Sequence, residues 1–187
     1  NFEIDKKDSE KKQFGEYETI LGKGDESYGE ITYSLSYPKT TDEKLNKAVG
    51  EKTEAMTGQF TQEAKYSKRK NNQGKLTADM QADYEAYAAN GRYGGIVFET
   101  DRYLADTPEP ESRIEAFPID FVQSRILRPS EIFKENGLNR VSEICKDAIK
   151  EVTEGDVNEE GLDPTEGNYA NIAFNKESMR VYFNKYQ

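Results

Sequence analysis

Histidine is absent from all 187 residues. That gap excludes Ser-His and Cys-His nucleophile pairs, a His-ligated zinc and an imidazole general base. Cysteine is nearly absent too: Cys145 stands alone, so no internal disulfide can form and the redox compartment stays open. No apolar run approaches the roughly 20 residues that a membrane-spanning helix needs, and no signal-peptide core is visible. The sequence also lacks G-x-S-x-G, a P-loop, a dinucleotide fingerprint, CxxC and internal repeats. It begins at Asn1 instead of Met, so an excised portion is expected, with any anchor or leader upstream.

What remains is a chain of one-domain length, 34% hydrophobic and 33% charged, whose core must be thin and well patterned. Twelve Tyr and nine Phe are far too many for a disordered chain and favour β structure. The 36 acidic residues outnumber the 26 basic ones, giving a formal charge of −10. Such a balance disfavours nucleic acid, whose phosphates need clustered Lys and Arg, and suits a basic partner. A glycosidase-like pair of carboxylates would arise by chance among 36 acids, so that chemistry singles out no residue. The loop from Asp156 to Gly161 opens like a calcium loop, but its closing position holds Gly167 and Glu166 comes one place early. A solvated acidic loop is the expectation there, and no metal or cofactor is expected.

Along the chain, residues 1–13 read as a flexible charged tail and residues 14–187 as one domain. Ile31, Tyr33, Leu35 and Tyr37 alternate with Glu30, Thr32, Ser34 and Ser36, predicting a half-buried strand ended by Pro38. Thr40 with Glu43 offers a capping box, and Leu45, Val49, Met56 and Phe60 share one face of a helix expected from Thr41 to Tyr66. The basic run from Lys65 to Lys75 reads as a loop. Periodicity leaves Ala78 to Tyr87 open between helix and strand, and Asn90-Gly91 decides for a hairpin with GGIVFETDRYL. Phe117, Ile119 and Phe121 then alternate, and Pro118 places that strand at an edge or with its amide outward. A short helix is expected from Pro129, its Ile132 and Phe133 folding beneath the sheet and Gly137 ending it. Leu138, Val141, Cys145, Ala148 and Val152 form the next apolar stripe, so Cys145 reads as a buried small hydrophobe. ANIAF and MRVYFNKY close the chain as a hairpin turning at Asn175 to Glu177.

The order "ITYSLSYP", "LNKAV", "FPIDFVQSRILRPSEIF" and "MRVYFNKYQ" resembles a domain of Gram-positive cell-surface proteins, over about Glu30 to Gln187. That domain is the ectodomain of RsiV-like anti-sigma factors, which bind lysozyme, and the non-catalytic module ahead of the catalytic domain in some peptidoglycan deacetylases. The resemblance makes Phe117 to Phe133 a structural joint. Two stretches depart from the family. Its Gly-rich, His-containing segment is here Ala105 to Glu109, and its Pro-Tyr segment and last strand beyond "YFNKY" are not seen.

The reading is therefore an α+β fold: an antiparallel β-sheet packed on one side by two main helices. As the resemblance implies, the chain is not an enzyme but an extracytoplasmic, cell-surface binding or sensor domain, held at the membrane only through an anchor outside this chain. The expected partner is lysozyme or another cationic protein, or else cell-wall glycan. The expected contacts are Tyr103, Asp106, Glu109 and Glu111 with Tyr182 and Tyr186, because Tyr gives large contact area at low entropic cost. The same tyrosines could instead serve the core or a sheet face.

Overall fold

The computed structural model describes residue 14 and residues 16–134, 136–153, 158 and 160–184. The charged tail, Asp156, Val157 and Glu159 of the calcium-like loop, and Tyr186 lie outside the described residues. Six strands form one sheet in the order β1 (Glu16–Lys23), β2 (Glu30–Lys39), β3 (Thr77–Ala89), β4 (Tyr93–Tyr103), β5 (Glu111–Asp120), β6 (Arg125–Ile126). Every neighbouring pair is antiparallel except β2 and β3, which run parallel because helix α1 (Glu43–Ala64) carries the chain between them. The α+β class expected from the sequence is what forms.

α1 starts where Asp42 accepts the Lys44 and Leu45 amides at 2.9 and 3.1 Å. Asp42, not the expected Thr40 or Thr41, is thus the cap; the Thr40 hydroxyl takes the Asp42 amide and steadies the entry. Leu45, Val49, Met56, Phe60 and Ala64 are buried against Ile31, Leu35, Met80, Ala82, Ile96, Phe98 and Ile119 of the sheet. Each large apolar side chain so covered contributes about 1.5–3 kcal/mol. Strand β2 follows the alternation expected, though it runs through Pro38 to Lys39. The β3–β4 hairpin turns at Asn90 and Gly91, both in the left-handed region at φ 45° and 72°.

The other sheet face carries a short hairpin of β7 (Ile172–Phe174) and β8 (Met179–Val181). Asn175 builds its turn by accepting the Glu177 and Ser178 amides at 3.0 and 2.8 Å. Val97, Ala116 and Ala173 pack together beneath it. The hairpin lies so close that a Cβ on Gly95 would stand 2.6 Å from the Ala173 Cβ. The residues that flank this hairpin on both sides close the free edge of β5 over Ile114 to Ala116. Asn184 accepts the Ile114 amide at 2.7 Å and Asn171 the Ala116 amide at 3.1 Å. Next in that alternation comes Pro118, which has no amide to satisfy, as its outward position requires.

Phe117 to Phe133 is the joint expected. Asp120, almost fully buried, accepts the Val122 and Gln123 amides at 3.0 Å and turns the chain into β6. The Ser124 hydroxyl bonds the capping carboxylate of Asp42, which ties this turn to the start of α1. Helix α2 (Pro129–Ile132) is held by Glu131, which accepts from the Arg128 amide at 2.9 Å and from Arg125 at 2.6 Å. Ile132 and Phe133 are only half-buried and belong to neither apolar cluster of the described residues, so the anchoring expected of them is not what holds α2.

Gly137 starts a helix where the sequence suggested an end: α3 (Gly137–Val152) follows at once. Its main partner is the turn Glu160–Leu162, not the sheet. The Ser142 hydroxyl donates to the Leu162 carbonyl at 2.6 Å, as does Tyr169 at 3.0 Å, and Tyr169 meets Phe183 edge to face. Lys146 pairs with Asp163 at 3.0 Å. The stripe is therefore half covered: Leu138, Val141 and Cys145 are partly buried, while Ala148 and Val152 are exposed. Strand β1 was not visible in the sequence. Its side chains are mostly exposed, and only Ile20 packs on the core.

Candidate functional site

At the end of α1, strand β4 leaves the core and the chain crosses to β5 through residues 104–110. Ser67 fixes the base of this loop, its hydroxyl donating to the Leu104 carbonyl at 2.8 Å while the Lys68 amide does so at 2.9 Å. Thr107 bridges to the Glu109 carbonyl at 3.0 Å. Between loop, β5 and the C-terminal segment lies a groove of about 730 Å³ whose walls include Glu109, Glu111, Arg102, Arg113 and Asn184.

Alternation places Arg102 on the apolar face of β4 with Ile96, Phe98 and Thr100, so its guanidinium is forced beneath α1 and is only 4% exposed. There it pairs with Glu63 of α1 and lies over the Phe60 ring at 5.9 Å. Burial pushes the Glu63 carboxyl up, but hydrogen bonds from Arg102 and Gln59 and the Arg102 and Arg113 charges outweigh it and hold the group below its usual range. Arg113 donates to Glu111 at 2.8 Å. Glu115, beside these arginines, is pushed upward by burial despite the charges of Arg113, Arg102 and Lys52. Among the described residues the Thr100 hydroxyl and the Arg102 Nε have no hydrogen-bond partner. The groove's cations are thus paired with carboxylates, Arg102 with Glu63 of α1 and Arg113 with Glu111 of the groove wall. A ligand there meets matched donors and acceptors beside the apolar surface of Leu104, Ala105 and Pro110.

Of the contacts expected from the sequence, Glu109 and Glu111 come together in this groove, and Asp106 sits exposed on the same loop. Tyr103 does not join them. It faces the neighbouring surface, with the Arg69 guanidinium 5.1 Å from its ring. Tyr182 packs against the Val97, Ala116 and Ala173 cluster, as the core alternative for the tyrosines held. Arg102, Arg113 and Asn184 were missed, although a charged residue at a core position of an alternating strand was a signal for Arg102.

A second feature lies on the sheet face away from α1. Asp79, Asp83, Glu85, Glu99 and Asp101 project there from β3 and β4, with Asp83 directly opposite Glu99. Facing like charges cost stability. Among the described residues no group of three or more His, Cys, Asp or Glu is placed to hold a metal, and no helix is long and apolar enough to cross a membrane.

This arrangement defines a class before any particular relative: an α+β domain with a polar groove and an acidic sheet face. Residues 130–187 match the family described as Protein of unknown function (DUF3298). The peptidoglycan-N-acetylmuramic acid deacetylase PdaC of Bacillus subtilis (strain 168) is 23% identical over 91% of this chain. The chain spans about 40% of the length of that relative. The family resemblance read from the sequence is thus met on its deacetylase side. A solved DUF3298 family member from Bacteroides fragilis shares the fold with a TM-score of 0.53 and 15% identity, over 92% of this chain and 84% of that one. Another from Pseudomonas aeruginosa PAO1 has a TM-score of 0.50 and 11% identity, over 78% and 71%.

Proposed function

We propose that the chain is a non-catalytic binding module of the bacterial cell envelope, working outside the cytoplasm beside a peptidoglycan deacetylase and holding wall glycan in the groove of residues 104–110. The observation that carries this reading is the match to PdaC across 91% of this chain and only 40% of the relative. The groove supports it: Arg102 with Glu63 and Arg113 with Glu111 leave little net charge, which suits an uncharged sugar more than an ion. The chain supplies no histidine for hydrolysis, so the chemistry belongs to other parts of such an enzyme. Calorimetric titration with soluble peptidoglycan glycan fragments tests the reading. Saturable binding that varies little with salt and weakens at least about tenfold in Arg113→Ala is expected. No heat with any fragment overturns it.

The acidic sheet face favours a second reading, the RsiV-like sensor that recognises lysozyme. A −10 surface with Asp83 opposite Glu99 would steer a cationic protein and relieve its own repulsion on contact. One-to-one binding of lysozyme that persists at physiological salt and falls in the Asp83→Asn, Glu99→Gln double variant supports this reading. Heat seen only at low salt means simple charge attraction and rejects it.

A further inference from the structure

The two ends of the sheet are finished differently. At the β5 end, Asn184, Asn171 and Pro118 leave no outward amide unsatisfied over Ile114 to Pro118. At the β1 end nothing among the described residues pairs with the outer edge. The Gly24 amide donates to the Ile31 carbonyl at 2.9 Å, so alternate residues Gly22, Ile20 and Glu18 turn their backbone groups toward β2. Tyr17, Thr19, Leu21 and Lys23 therefore present theirs to the open edge. An open edge of this length is a template for another strand.

We propose that this edge takes β1 of a second copy of the chain, antiparallel and centred on Thr19, so that two six-stranded sheets join into one. The sequence of β1 favours its own copy as occupant. A two-fold axis normal to the sheet keeps both α1 helices on one side, so residues of like parity face each other. Centred on Thr19, the pairing sets Tyr17 against Leu21 of the other copy, twice. Those two side chains are 70% and 77% exposed in the single chain, and the pairing covers both. The three facing pairs exchange about six backbone hydrogen bonds, all from groups that point outward already. No lysine or proline interrupts Tyr17 to Leu21, whereas such residues commonly protect an edge. Each copy carries −10, so salt screens their repulsion and strengthens the dimer.

Sedimentation equilibrium of the 187-residue chain, from low micromolar to millimolar and at two salt concentrations, tests the proposal. A monomer–dimer equilibrium that tightens with salt is expected. Leu21→Lys should weaken it at least about tenfold without changing the circular dichroism spectrum or melting temperature. In Thr19→Pro the lost amide is one that faces outward, so the fold survives and the dimer does not. In a Cys145→Ala background, Thr19→Cys should cross-link under mild oxidation, because facing Cα atoms in such a pair lie about 5.5 Å apart, and Leu21→Cys should not. A chain that stays monomeric throughout, or a dimer indifferent to both edge substitutions, overturns the proposal.

Discussion

Gly95→Ala tests the seating of the β7–β8 hairpin on the sheet. The added Cβ would stand 2.6 Å from the Ala173 Cβ, 2.8 Å from its Cα and 3.1 Å from the Phe174 nitrogen, where ordinary contact begins near 3.4 Å. Two of the three are backbone atoms, so no side-chain rotation relieves them. The hairpin must move outward by close to an ångström, and overpacking of this kind costs about 1–3 kcal/mol. Movement also strains the Asn171 and Asn184 bonds to β5, each worth about 1 kcal/mol, while the alanine returns about 0.5–1 kcal/mol by stiffening the strand. The net expectation is a loss of roughly 2 kcal/mol, or about 4–8 °C in melting temperature for a chain of this size. Thermal unfolding measures the loss, and amide exchange locates it, with Ile114 and Ala116 exchanging faster while Ile31 and Leu35 stay protected. A variant as stable as the parent, with Ile114 and Ala116 exchanging at the parent rate, would refute the reasoning.

Gly50→Ala and Gly58→Ala in α1 meet no atom within 4 Å, so each should raise stability by up to about 1 kcal/mol in denaturant titration. Glu63→Ala strands the buried Arg102 cation and should cost about 3 kcal/mol, whereas Glu63→Ala combined with Arg102→Met should recover part of that loss. Glu115 is raised above its ordinary value by burial, so its contribution to stability is full below the unfolded-state pKa and is lost as pH rises through the folded one. Glu115→Gln should therefore melt higher than the parent at neutral pH, the gap closing in acid below about pH 4.

Much of the fold was legible where one face of an element is buried and the other wet. Ile31, Leu35 and Tyr37 alternate because α1 covers one side of β2, and Asn90-Gly91 marks the β3–β4 turn because few other residues accept positive φ at both positions. Strand β1 was not legible, since an edge exposed on both faces leaves no alternation to read. The stripe of α3 suggested a helix on the sheet, but periodicity fixes only which face is apolar and not its partner; here the Leu162 turn took that place. The parallel pairing of β2 and β3 likewise depends on where α1 returns the chain. In the groove, Glu109 and Glu111 came from a loop that stood out by composition. Arg113 and Asn184 reach it through strand register and a C-terminal segment 70 residues away, which local pattern does not encode.

The Asn184 and Asn171 clasp on β5 also sets an order of events during synthesis. The ribosome releases β5 well before the residues that satisfy its Ile114 and Ala116 amides. For that interval the nascent sheet has two open edges, and the second closes only once Asn171 and Asn184 have emerged. Premature termination before residue 171 would make that interval permanent, so a shortened chain should fail through intermolecular strand pairing even with its α1 core assembled.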